Sequence, residues 1–204
     1  MNTTYSTADT ALLLVDLLND FLDEKGKLSQ RIRPMLKKTD LIAHLQRLVK
    51  GARAAGVKII YVPHGLHEHS FDDVKHVHPR WPWAMKNKVF WIGEWGADFY
   101  DALAPQKGDV IISRHRMFDS FVNTDMLEKL RENKIAKVVL AGLTSHTCVE
   151  GAGRHALDVT FLTDAVAEFT DEAHKAALEL SYPTFGHEVT TIDEFLAAVE
   201  PAAR

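Results

Sequence analysis

The run Ala11-Leu12-Leu13-Leu14-Val15 is almost purely apolar, ends in Asp16 and is too short for a buried helix. A run that does not alternate with polar residues reads as a strand covered on both faces, as parallel sheets require. Parallel neighbours need crossover connections, usually helical, and the rest of the chain has that rhythm. From residue 40 to 54 the apolar positions Leu41, Ile42, Leu45, Leu48 and Val49 fall at helical spacing, with Asp40 placed to cap the start and Gly56 to mark the stop. Further strands are expected at 57–62, 109–112, 136–140, 159–162 and near 189–192, and further helices at 124–132, 148–157, 171–180 and 192–199. The pattern predicts one α/β domain over residues 1–204, with a parallel sheet covered by helices on both faces and no internal repeat. One joint is too tight. A single residue between a helix ending at Leu157 and a strand starting at Val159 means that the helix ends early or that the chain lacks residues here.

Composition narrows the function classes. The chain has 204 residues, 46% of them hydrophobic, and a formal net charge of -4 with 25% charged residues. It lacks the clustered Lys and Arg that nucleic acid or an anionic membrane would require. No apolar run approaches the roughly 18 residues that span a bilayer, and residues 1–10 lack the features of a signal peptide, so a cytoplasmic protein is expected. A single cysteine, Cys148, can form neither an internal disulfide nor a Cys-rich zinc site, so it serves packing or reactivity.

Ligands of open α/β sheets bind beyond the carboxyl ends of the strands. Asp16, Arg114 and Cys148 all follow such ends. Singly, each has an ordinary explanation as a turn former, a surface charge and a small buried group. Together they could activate a thiol: a helix start and a guanidinium favour the thiolate, and a carboxylate can take the proton. On this reading Cys148 titrates well below the usual value of about 8.5.

These residues lie in motifs that resemble the isochorismatase-like cysteine hydrolases, a superfamily that includes nicotinamidases, N-carbamoylsarcosine amidase and ureidoacrylate amidohydrolases. Leu12 to Phe21 resembles the opening strand and its Asn-Asp-Phe, and Gly108 to Ile112 the approach to the second catalytic position. Phe121-Val122-Asn123-Thr124 resembles the turn after it, and Gly142 to Glu150 the nucleophile turn. The resemblance implies a three-layer α/β/α fold with a six-stranded parallel sheet and an Asp, Lys and Cys triad in which Asp16 activates Cys148. It also implies an oxyanion hole from the backbone N–H groups of Thr144 and Cys148, and a cis Leu143–Thr144 peptide. The implied activity is hydrolysis of a small amide or carbamoyl compound through a thioester. The alternatives are hydrolysis of a vinyl ether, as in isochorismatases, and a non-catalytic binding protein that keeps the fold. Where the family usually has lysine the chain reads Ser113-Arg114-His115-Arg116, and the strand register assigns Arg114 to that place, with Arg116 as the alternative. Leu18 also replaces a common Gln.

Phe21, Phe118, Phe121 and His146 are expected to form the pocket wall. His64, His67, His69, His76 and His78 invite a metal reading, but the Asp-x-His spacing of the nicotinamidase metal site is absent, so a solvated or substrate-binding loop is expected, with neither metal nor cofactor. Trp81, Trp83, Trp91 and Trp95 suit a pocket or a subunit interface, and a homodimer or larger homo-oligomer is expected.

Overall fold

Six strands form one parallel sheet: β1 (Thr10–Val15), β2 (Lys58–Val62), β3 (Val110–Ile111), β4 (Lys137–Leu143), β5 (Asp158–Ala167) and β6 (Glu188–Thr190), in the order β3-β2-β1-β4-β5-β6. The computed structural model describes residues 3–155 and 158–202. Helices α1 (Asn19–Leu22), α2 (Ser29–Lys38), α3 (Leu41–Ala55), α4 (Arg80–Lys86), α5 (Met126–Glu132), α6 (Glu150–Gly153), α7 (Asp171–Ala176), α8 (Tyr182–Phe185) and α9 (Ile192–Ala197) pack around it. This is the α/β/α architecture the sequence implied. Short strands Tyr5–Ser6 and Val199–Glu200 pair in parallel apart from the main sheet.

β1 owes its unbroken apolar run to its place at the centre. It pairs with β2 on one edge and β4 on the other, and all six of its residues are buried. Successive side chains alternate between faces. Leu12 and Leu14 join Ile59, Tyr61 and Val139 in the core beneath α2, α3 and α9, where Ile32, Leu45, Leu48 and Phe195 are buried. Ala11, Leu13 and Val15 join Ile60, Val138, Leu140 and Phe161 in the other core, closed by Met126, Ala152 and Tyr182. After β3 the chain returns to lay β4 on the far side of β1, so the strand order reverses between these two strands. Such a reversal leaves a crevice at the strands' carboxyl ends.

Three details differ from expectation. Asp40 does not cap α3: it is the single residue between Thr39, which ends α2, and Leu41, and it takes a left-handed conformation (φ 47°) with no side-chain cap. α2 carries an internal Pro34 and mostly polar residues, which hides it from a periodicity search. α6 ends at Gly153, so the tight joint becomes a segment whose residues 156 and 157 lie outside the described residues.

The stretch 63–96 is partly ordered by α4 and by the parallel pairing of Leu66 with Trp91. Asp20 in α1 ties it to the sheet. This fully buried carboxylate accepts hydrogen bonds from the backbone N–H groups of Phe90 (2.7 Å) and Lys27 (3.0 Å). Removing the acceptor leaves two donors unpaired, so Asp20→Ala is expected to cost about 2–5 kcal/mol of stability, read from urea denaturation. A change within about 0.5 kcal/mol, the range of ordinary surface substitutions, would show that Asp20 does not anchor the stretch.

Candidate active site

Asp16 terminates β1 in a left-handed conformation (φ 55°), with its N–H bonded to the Val62 carbonyl at the end of β2 (2.9 Å). Its side chain is fully buried, and Oδ1 lies 2.9 Å from Nε2 of His115, which is equally buried. The other ring nitrogen of His115, Nδ1, is 2.6 Å from the Met117 carbonyl. A carbonyl can only accept, so Nδ1 carries a proton, and an ionised carboxylate beside Nε2 calls for a second. Burial alone would push the His115 pKa down. The charge and hydrogen bond of Asp16, with the Met117 carbonyl, outweigh burial and raise it above the ordinary 6.5. The direction of this shift favours the protonated ring, and with it the charge pair with Asp16.

Arg114 was expected in this place. β2 and β3 pair with Tyr61 opposite Ile111, yet further along His64 stands opposite His115. Three steps on one strand match four on the other, and a slip of one residue exchanges the side chains that face in and out. His115 thereby reaches Asp16. The Arg114 guanidinium instead donates to the His64 carbonyl (2.8 Å) and lines a separate surface depression with His67, Ser70 and Asp73. Arg116 makes a two-pronged ion pair with Asp73 (2.6 and 2.8 Å). Neither arginine lines the pocket that contains Cys148.

Cys148 lies in a π-helical turn, Ser145–Val149, between β4 and α6. The approach to that turn needs Gly142, whose φ of +117° and contact with the backbone of Val15 leave no room for a side chain. The Leu143–Thr144 peptide is cis. The ligating atoms of Asp16, His115 and Cys148 lie within 4.8 Å of one another, and among the described residues no other trio of His, Cys, Asp or Glu comes so close. A cation could be held there only at the expense of the Asp16–His115 hydrogen bond. Burial is the main force raising the Cys148 pKa, followed by the negative charge of Asp16 and its pull on the thiol proton. The Thr147 hydroxyl and the Thr144 backbone N–H act in the opposite direction and lose. The thiol is thus neutral at rest, contrary to the expectation of a low pKa, because it is buried and Asp16 adds a carboxylate where a guanidinium was expected. Asp16 Oδ2 has no closed hydrogen bond, so a small shift of the thiol is needed to engage it.

A cavity of about 110 Å³ opens onto Asp16 and Cys148. Phe21 and Phe118 line it as expected, as do Trp81 and Trp83 of the tryptophans that suited a pocket or an interface, joined by Phe90 and Phe169, which the sequence did not single out. Phe121 and His146 do not. Phe121 stacks on His155 (centroids 5.3 Å apart), and His146 is half exposed, 3.2 Å from the Glu150 carboxylate. Arg31 and Arg80 also line the cavity, lying over the rings of Phe169 and Phe118, and neither has an ion-pair partner among the described residues.

Residues 10–194 match the family profile described as the isochorismatase domain. The chain is 27% identical to the ureidoacrylate amidohydrolase RutB of Serratia proteamaculans over 207 residues, covering 94% of this chain and 83% of that protein. The crystal structure of a cysteine hydrolase from Pseudomonas syringae pv. phaseolicola superposes with a TM-score of 0.79 at 25% identity, covering 94% of this chain and 92% of that one. N-carbamoylsarcosine amidase from Thermoplasma acidophilum shares the fold, with a TM-score of 0.68, 23% identity and coverage of 91% and 97%.

The raised pKa of His115 fixes a pH dependence. A group whose pKa is higher folded than unfolded stabilises fully below its unfolded value, here 6.5, and loses that contribution as pH rises through the folded value. Urea denaturation above pH 6.5 is expected to show this loss in the wild type. The double variant Asp16→Asn/His115→Gln, which lacks the charge pair, is expected not to show it. Parallel profiles for the two proteins would contradict an ionised pair.

Proposed function

The chain belongs to the isochorismatase family, and from the geometry of its site we propose that it is a cysteine-dependent amidohydrolase acting on a small amide or carbamoyl compound through a thioester. The observation that carries this reading is the Cys148 thiol beside a carboxylate with an open oxygen, in a largely apolar pocket.

Sγ attacks the substrate carbonyl carbon as its proton passes to Oδ2 of Asp16. The carbonyl oxygen, now an oxyanion, is held by the backbone N–H groups of Thr144 and Cys148. Asp16 returns the proton to the leaving nitrogen, the C–N bond breaks, and the acyl group remains on sulfur. Water then attacks the thioester, giving a proton to Asp16 and its oxygen to the acyl carbon. The sulfur leaves and takes the proton back. His115 touches none of the reacting atoms. It is a positioning residue whose hydrogen bond and charge hold the Asp16 carboxylate in place through Oδ1, in the place the resemblance gives to lysine. Arg114 acts one step further out, by holding the His64 carbonyl.

Ureidoacrylate is the first compound to try, because a relative is named for it and because it combines a carbamoyl group with a carboxylate. The guanidinium groups of Arg31 and Arg80, without an ion-pair partner among the described residues, would suit that carboxylate. Trp83 and Trp95, each nearly half exposed, are apolar groups that a homodimer contact would cover.

The test is a panel of ureido acids, carbamoyl amino acids and simple amides with ammonia detection. Cys148→Ala is expected to lose at least about 10³-fold in kcat, and Asp16→Asn about 10²- to 10⁴-fold. A slowly turned over substrate should leave an acyl adduct on Cys148 in the intact mass spectrum. Full turnover by Cys148→Ala would end the nucleophile reading.

A further inference from the structure

His64 stands just beyond the carboxyl end of β2, the neighbour of β1, and lines the cavity that Asp16 and Cys148 share. Its ring is 2% exposed and walled in by three others, with centroid distances of 5.5 Å to Trp81, 5.0 Å to Phe90 and 4.8 Å to His115. Its backbone is fixed as well: the carbonyl accepts from Arg114, and the following residue, Gly65, donates to the His115 carbonyl (2.9 Å). Yet among the described residues neither ring nitrogen has a hydrogen-bond partner.

Burying an unpaired donor and an unpaired acceptor is destabilising, and a phenyl ring would fill the same space without that penalty. Packing therefore does not account for an imidazole here. The ring lines the cavity that holds Cys148, so a ligand in that cavity can supply the missing partner. Burial, and after it the charge of His115, keeps the ring neutral, with a pKa pushed down to about 3. One nitrogen therefore accepts at any working pH.

Among the other polar side chains of the cavity, the Thr147 hydroxyl is bonded to that of Thr144 and to the Cys148 thiol, and Arg31 and Arg80 can only donate. The oxyanion falls to backbone N–H groups, and Asp16 is engaged by His115 and the thiol proton. A substrate N–H is left without an acceptor. We propose that His64 is a substrate-binding residue that accepts a hydrogen bond from a substrate N–H, so that the pocket selects amides and ureides bearing an N–H next to the carbonyl and rejects N,N-dialkyl analogues. This rests on the amidohydrolase reading in taking the substrate to be an amide.

Alkylation of Cys148 tests it without knowledge of the natural substrate. Iodoacetamide carries the N–H groups, and N,N-dimethyliodoacetamide does not. In the wild type the ratio of their rates, each divided by the rate with glutathione, is expected to favour iodoacetamide about 10- to 100-fold, the range for leaving a buried acceptor unpaired. In His64→Phe that preference is expected to fall below about 3-fold, and His64→Gln, which keeps an acceptor, should restore part of it. His64→Phe should also keep or raise the melting temperature, by up to a few degrees, since it removes an unpaired polar group from the core. Retention of the preference in His64→Phe would overturn the proposal. So would a lower melting temperature with equal slowing toward both reagents, the mark of a purely structural ring. If Cys148, protonated at rest, proves inert to both reagents, the nucleophile reading is still judged by the turnover of Cys148→Ala. Quenching of the pocket tryptophans by acetamide against N,N-dimethylacetamide then still reads His64: stronger binding of acetamide that His64→Phe abolishes supports the proposal, and equal binding overturns it.

Discussion

The buried pair of Asp16 and His115 is the constraint that the rest of the site answers to. Removing two charges from water is costly, and the cost is offset only when geometry is good and the remaining protons are bonded. Here Oδ1 and Nε2 meet at 2.9 Å, and the Met117 carbonyl takes the second ring proton. The carboxylate is held by the end of β1, clamped between β2 and β4, and the imidazolium by the one-residue slip after β3. Each partner justifies the burial of the other.

That pair sets the chemistry available to Cys148. In a largely apolar pocket beside a carboxylate, the thiol keeps its proton until a substrate is present. The nucleophile is then made at the moment of attack by transfer to Asp16, in contrast to thiols that a neighbouring cation keeps ionised. A neutral resting thiol is also a poor target for adventitious oxidation, which follows thiolate character and exposure. The pocket wall is built largely by the stretch between β2 and β3, anchored by the Phe90 N–H that Asp20 binds. Its apolar rings limit water around the reacting groups, which strengthens every charge interaction there.

Much of this was legible in the sequence. The central strand, the alternation of strands and helices, and the positions of Asp16 and Cys148 follow from local pattern and from the rule that ligands gather at strand ends. The third member of the trio was not legible, because Arg114 and His115 are neighbours and a slip of one residue decides which faces inward. No periodicity in a two-residue strand such as β3 reveals that slip. His64 was within reach of the same rule, since it too follows a strand end, but it was grouped with a histidine-rich stretch read as a solvated or substrate-binding loop, with no residue singled out. α2 was hidden by Pro34 and by its polar composition, and Phe169 by lying between elements.

The charge state of His115 tests the account most directly, through the ¹⁵N chemical shifts of its ring in uniformly labelled protein. The account predicts an imidazolium, with both nitrogens protonated, at pH values below 6.5 and persisting above that value, and loss of that persistence in Asp16→Asn. A neutral ring in the wild type at pH 6.5 would contradict it, because Asp16 would then have no cation to keep it ready for the Cys148 proton.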